Sequence, residues 1–214
     1  MAKSPQALAN DRRRRGDGSR PQPGKRHFDP ALQAYVIQIL PGTHYVTAAV
    51  DEILATILGS CVAACVRDPY QGIGGMNHFM LPKGRNDATE GANDSMRYGD
   101  YAMEVLINAV LAHGCRRSEL EIKIFGGANV IDSTMLVGSN NSEFIIRYLN
   151  SNGLLIATRD IGGRLPRRIL YTPATGKARR LNLKRLSDSN IFKKELAHYR
   201  RSKRMPDSGE IDLF

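Results

Sequence analysis

The residues with the most chemistry in them lie in one stretch, LGSCVAACVRDPYQGIGGMNHFMLP, residues 58–82. Cys61 and His78 sit in two apolar runs on either side of Asp68-Pro69-Tyr70-Gln71. Proline favours the second position of a common turn and aspartate the first. With Asp68 facing Gln71, an unbulged hairpin sets Cys61 directly opposite His78. Opposed Cβ atoms lie roughly 4.5–5.5 Å apart on one sheet face, so the thiol reaches the imidazole. The thiolate, not the thiol, is the nucleophile. An imidazole can take the proton, stabilise the thiolate as imidazolium and then protonate a leaving group. Gly59 and Ser60 let the backbone turn before Cys61. With Asn77 they are candidate substrate or oxyanion contacts. Gly72, Gly74 and Gly75 leave the facing strand thinly covered, so that another chain can approach.

A blander reading makes Cys61 a small buried hydrophobe and His78 a satisfied core histidine. The opposed geometry is what sets the pair against that reading, and a bulge in the glycine-rich strand would break it. Cys65 lies four residues on, roughly 13 Å along an extended strand, too far from Cys61 for a disulfide; it reads as core. The three cysteines, Cys61, Cys65 and Cys115, are too few for a disulfide framework and read as reduced thiols. Cys61, Cys65, His78 and Cys115 can in principle gather a zinc ion, but CxxC pairs are absent, and no metal is assigned.

These residues need a scaffold, and the middle of the chain supplies one. Apolar runs at 35–40, 44–50, 52–58, 62–67, 73–80, 120–125, 154–158, 168–172 and 180–184 read as strands. Pro41-Gly42 separates the first two. Met103, Leu106, Ile107, Val110 and Leu111 share one face of a helix expected within 99–113. Phe144, Ile145, Tyr148 and Leu149 do the same within 142–152, with Gly153 as its stop. The polar segment 83–96 reads as a loop. Many strands with two interleaved helices make an α+β fold.

The chain has 214 residues, of which 42% are hydrophobic and 24% charged, which suits a soluble globular protein. Its net charge of +10 is unevenly placed. Residues 1–30 carry +5, residues 31–176 carry −1, residues 177–206 carry +9 and residues 207–214 carry −3. The expected organisation is a disordered basic arm over 1–30, one domain over 31–186, and a basic C-terminal helix and tail over 187–214. In that helix Phe192, Leu196 and Tyr199 form a stripe. The flank either docks to an acidic partner, an anionic membrane surface or nucleic acid, or is a solvated helix that caps the domain. A near-neutral middle argues against a nucleic-acid binder. The least polar window, 53–66, is too short for a membrane helix, and no secretory signal opens the chain. A cytoplasmic protein is expected.

LGSCVAACVRDP (58–69) followed by GIGGMNHFMLP (72–82) closely resembles the signature of the CheD family, the chemoreceptor glutamine deamidases of bacterial chemotaxis. The resemblance continues through KIFGGANV (123–130), the segment 138–149, RDIGGRLPRRILY (159–171) and TGKARRLNL (175–183). It covers about residues 35–186, and GEIDLF at 209–214 resembles the ending of longer members. It implies packed β-sheets flanked by helices, similar to the cytotoxic-necrotizing-factor-like cysteine hydrolases. It makes Cys61 the nucleophile, His78 the catalytic histidine and Thr56 the residue that orients the imidazole. The implied reaction is hydrolysis of glutamine side-chain amides to glutamate, with loss of ammonia, through a cysteine thioester and without a cofactor. The implied partners are methyl-accepting chemotaxis receptors and a CheC-type phosphatase; a non-catalytic binding module is the alternative. One block departs from the family pattern: Gly138-Ser139-Asn140-Asn141 stands where Gly-x-Arg-Asn is expected.

Overall fold

A computed structural model describes residues 24–82, 90–130 and 137–183, with backbone alone over 90–95. The expected N-terminal arm up to residue 23, the loop at 83–89 and the basic C-terminal helix lie outside the described residues. Among the described residues, ten strands form two five-stranded sheets. The first sheet takes β1 (Arg26–Asp29), β2 (Ala34–Gln38), β4 (Glu52–Leu58), β9 (Arg167–Thr172) and β10 (Lys177–Asn182), side by side in that order. The second has the order β3 (Thr43–Thr47), β6 (Ile73–His78), β5 (Val62–Asp68), β7 (Glu121–Gly126) and β8 (Ile156–Ile161). Among the described residues, two α-helices, α1 (Glu90–Leu111) and α2 (Val137–Ser151), join the sheets in an α+β fold.

Alternation along the strands builds two cores. Ile37, Leu54, Leu58, Ile169 and Tyr171 of the first sheet meet Ala63, Cys65, Met76 and Phe125 of the second. On the second sheet's other face, Val62, Ala64, Val66, Ile122 and Ile124 meet Met103, Leu106, Ile107 and Val110 of α1, and Phe144, Ile145 and Leu149 of α2. β5 is thus buried on both faces, which is why LGSCVAACV reads as a continuous apolar run rather than an alternating one.

The edge strand β1 begins inside the stretch that charge alone assigned to the N-terminal arm. Its Arg26 reaches Glu52, which is 1% exposed, at 3.0 Å, and Tyr45 donates its hydroxyl to the same carboxylate at 3.2 Å. A buried carboxylate needs such partners. Helix α1 starts earlier than expected. Its apolar face shows only where it packs on the sheet, whereas Met96 and Tyr98 in its early turns are exposed, so residues 90–96 carried no periodic signal.

The hairpin register differs from the expected one. β5 pairs with β6 as Cys65↔Met76 and Asp68↔Ile73, and an isolated bridge joins Val62 to Phe79. The turn holds four residues, 69–72, rather than two. Asp68 Oδ1 accepts the N–H groups of Tyr70 and Gln71 at 2.9 and 3.1 Å. Gly72, at φ +66°, donates its N–H to the Asp68 carbonyl. The shift is two residues, so each side chain keeps its face.

The glycines of β6 do not open the strand to another chain. A Cβ at Gly74 would strike Arg67 Cβ and Val66 O at 2.5 and 2.6 Å. One at Gly75 would strike the Tyr45 carbonyl and crowd Val46 and Leu106. The room is taken by this chain itself.

Candidate active site

Three of the residues singled out by sequence line the gap between the sheets. Leu54, Thr56 and Leu58 alternate inward along β4, so Thr56 faces the second sheet. His78, the last residue of β6, meets it: Thr56 Oγ1 lies 2.8 Å from His78 Nδ1. His78 and Thr56 are 1% and 3% exposed.

A second contact sets the direction of this hydrogen bond. Thr56 Oγ1 donates to the Ile39 carbonyl at 2.9 Å. A hydroxyl has one proton, and a carbonyl can only accept it. The contact with the ring is therefore made by His78 Nδ1–H donating to Thr56 Oγ1. Assigned in this way, the neutral ring carries its proton on Nδ1 and its lone pair on Nε2, the tautomer a base needs.

Cys61 joins the same layer. The observed register sets Ala63 across from His78, and one step further sets Cys61 across from Met80. Cys61 is therefore diagonal to His78 rather than opposite it. Diagonal positions lie about 7–8 Å apart at the backbone, within reach of long side chains. Cys61 belongs to the inter-sheet cluster with Ala63, Cys65 and Met76, is 4% exposed and is in no disulfide. Tyr98 of α1 stands at the margin of this site. Burial, and then the nearby Cys61, raise its phenol above the ordinary range, and its side chain is partly open to solvent.

Asn77 is placed elsewhere. It adjoins His78, so it points to the opposite face, toward the helices. Its Oδ1 accepts Ala64 N–H at 2.8 Å and its Nδ2 donates to the Ala102 carbonyl at 2.9 Å. Asn77 joins β5 and β6 to α1 and offers nothing to a substrate beside His78.

The turn before Cys61 is held by residues that sequence reasoning passed over. The Gly59 carbonyl accepts Ala128 N–H at 2.8 Å, and the Cys61 carbonyl accepts Gly127 N–H at 2.7 Å. The Ser60 carbonyl accepts Nδ2 of Asn141, which is fully buried, at 2.8 Å. The Gly126-Gly127 doublet allows this close wrap. Gly126 has φ +107°, and a Cβ on it would collide with the Cys61 carbonyl; Gly127 has φ +65°, and a Cβ there would collide with Ser142 Oγ. The one sequence sign of this was the glycine doublet directly after a strand.

The supporting loop is braced in turn. Gly162 donates its N–H to the Gly126 carbonyl, and Asn129 donates its N–H to the Gly163 carbonyl, both at 2.9 Å. Arg167 is 4% exposed and holds this loop by donating to Asp160 Oδ1 and to the Asp160 and Gly162 carbonyls.

The arrangement can do thiol–imidazole chemistry: an oriented base, a thiol on its face and a turn of backbone amides at the thiol. Comparisons with known proteins give the chain's family. A family model described as "CheD chemotactic sensory transduction" matches residues 80–181, beginning just past His78. A probable chemoreceptor glutamine deamidase CheD of Rhodopseudomonas palustris is 46% identical over 194 residues, 91% of this chain and 91% of that protein. A stretch that long in a chain of 214 residues necessarily includes Thr56, Cys61 and His78. One from Hahella chejuensis, with the same description, is 47% identical over 184 residues, 84% of this chain and 85% of that one. Among solved structures, the hypothetical protein YfiH of Bacillus licheniformis aligns with a TM-score of 0.34 at 11% identity, over 56% of this chain and 49% of that one. A likeness that low carries no argument.

Proposed function

Because the chain belongs to the CheD family, we infer that it is a chemoreceptor glutamine deamidase, and we propose that Cys61 and His78 carry out the hydrolysis. His78 Nε2 takes the proton from Cys61 Sγ, and the thiolate attacks the carbon of a glutamine side-chain amide. The C=O π bond opens to an oxyanion, which the N–H groups of the Ser60–Cys61 turn receive. As the C–N bond breaks, His78 Nε2–H protonates the nitrogen, ammonia leaves, and a thioester joins the glutamyl carbon to Cys61 Sγ. Nε2 then deprotonates a water molecule, which attacks the thioester; the sulfur departs and is reprotonated, and glutamate remains. Through both halves Nδ1–H stays on Thr56, so one nitrogen orients the ring while the other exchanges protons.

The observation that carries this reading is the chain Ile39 O, Thr56 Oγ1, His78 Nδ1, two hydrogen bonds that define the base before any substrate arrives. The finer fold assignment, to the cytotoxic-necrotizing-factor-like cysteine hydrolases, is supported by two packed sheets with helices on one side and by Cys61 and His78 lying in the layer between the sheets. No helix among the described residues is long and apolar enough to cross a membrane, which fits action in the cytoplasm on the receptors' helical bundle. Each turnover replaces a neutral amide by a carboxylate, so the receptor gains one negative charge per site.

The test is incubation of the full chain with a receptor cytoplasmic fragment, followed by mass spectrometry of the peptides. The wild type converts specific glutamines to glutamate; Cys61→Ala and His78→Ala do not. Undiminished conversion by Cys61→Ala removes this mechanism.

A further inference from the structure

Asn141 touches neither Cys61 nor His78 through any hydrogen bond described above, yet its side chain joins the two sides of the site. It lies in the second turn of α2, has no exposed surface and uses both ends of its amide. Nδ2 donates to the Ser60 carbonyl at 2.8 Å. Oδ1 accepts Leu81 N–H at 2.9 Å, three residues past His78. Ser60 precedes the nucleophile directly. The helix that carries Asn141 is anchored at its start, where Asn129 donates from Nδ2 to Ser139 Oγ and accepts Ser139 N–H on Oδ1.

The Ser60–Cys61 peptide is the important link. No cis peptide occurs among the described residues, and in a trans peptide the C=O and the following N–H point in opposite directions. With the Ser60 carbonyl drawn to Asn141, the Cys61 N–H is aimed away from α2. The carbonyls of the neighbouring peptides are held too, that of Gly59 by Ala128 N–H and that of Cys61 by Gly127 N–H. Donation to a carbonyl also polarises its amide, so the N–H at the other end becomes a stronger donor.

We propose that Asn141 is a positioning residue that holds and polarises the Ser60–Cys61 peptide, so that the Cys61 N–H receives the oxyanion formed at the substrate carbon. This rests on the proposed deamidase reading. The side chain acts through a peptide that matters only once negative charge develops on the amide oxygen, so removing it lowers kcat more than it raises KM. The loss of one oxyanion donor costs about 10²–10³-fold in kcat in well-studied hydrolases, and misdirecting one costs somewhat less.

Two variants separate this role from packing. Asn141→Leu removes both bonds. Asn141→Asp keeps an acceptor for Leu81 N–H. When protonated it can still donate to the Ser60 carbonyl; when ionised it sets an acceptor against an acceptor. Burial raises a carboxyl's pKa, and the donor is present only below that pKa.

The experiment measures receptor-fragment deamidation by the full chain from pH 5.5 to pH 8.5, with activity expressed per folded molecule from a thermal melt. Asn141→Leu is expected to lose about 30–300-fold in kcat, with KM changed less than threefold. Asn141→Asp should fall as far at the alkaline end, but its ratio to wild type should climb as pH falls, while the Asn141→Leu ratio stays flat. The proposal is overturned if both variants match wild type per folded molecule, if the loss appears in KM alone, or if the Asn141→Asp ratio is independent of pH. Should Asn141→Leu fail to fold, the Asn141→Asp profile decides alone. Cys61→Ala, run in parallel, separates the two claims. If it is inactive while Asn141 variants are normal, only this inference fails; if it is active, the deamidase mechanism itself fails.

Discussion

Cys61 and Cys65 belong to one strand run, face the same gap between the sheets and differ by two steps of the pleat, yet their surroundings are opposite. Cys61 sits at the end of the layer, in line with His78 and Thr56, in a turn whose three carbonyls are all held from behind. Cys65 sits in the middle, fully buried, across from Met76 and close to Tyr171. Burial pushes the Cys65 thiol far up, and Lys123 pulls it back only in part. The Tyr171 hydroxyl has no partner among the described residues. On the proposed mechanism, a thiol in this fold becomes a nucleophile through a neighbouring imidazole and a shaped backbone, not by lying between the sheets.

The largest contrast between the two cysteines should appear in turnover. Cys61→Ala should lose essentially all deamidation, and His78→Ala should be comparably damaged, since the pair acts as a unit. Cys65→Ala should instead lower the melting temperature and leave kcat per folded molecule near wild type, because its lost methyl-sized volume is a packing cost. Equal loss in both cysteine variants would erase the distinction.

Thr56→Val keeps the shape of the orienting residue and removes its hydroxyl. The ring is then no longer held as the Nδ1–H tautomer. The expected cost is about 10–100-fold in kcat, below the roughly 10²–10⁴ of a whole acid–base contribution. Steady-state kinetics on a receptor fragment measure it, and unchanged kcat would remove Thr56 from the mechanism.

Labelling follows the same logic. With burial raising Cys65, and burial together with Asp68 raising Cys115, both remain thiols at neutral pH and gain thiolate only as pH climbs. Site-resolved alkylation should mark Cys61 first, with Cys115 and Cys65 following only under alkaline conditions. Labelling of Cys65 ahead of Cys61 at neutral pH would contradict the comparison.

The smallest effect on chemistry is expected at Asn77. Asn77→Ala orphans the buried Ala64 N–H and should cost about 1–3 kcal/mol of stability. Chemical denaturation should show that loss, with kcat per folded molecule unchanged.

How much of this was legible follows from what each signal measures. Residue type and face survive a register shift of two, so Cys61 and His78 were correctly assigned to one layer although the predicted rung was displaced. The length of the 69–72 turn depends on Asp68 capping it and on Gly72 accepting a left-handed backbone, and a Pro-containing turn does not announce its loop length. Periodicity marked α1 where it is packed and missed its exposed early turns. Asn77 was grouped with the site because it adjoins His78, while the pleat sends adjacent side chains apart. Asn141 and the Gly126-Gly127 doublet stood in segments that carried the resemblance, but their roles were not readable, because they act on the backbone of a segment some 65 to 80 residues away and no local pattern encodes that contact.

The most direct measurement is to quench a reaction between the full chain and a receptor fragment in acid during turnover and locate the acyl group by mass spectrometry. The account predicts a glutamyl thioester on the peptide containing Cys61, absent in His78→Ala. Turnover with the acyl group on Cys65, on Cys115 or on no residue of the enzyme would contradict it.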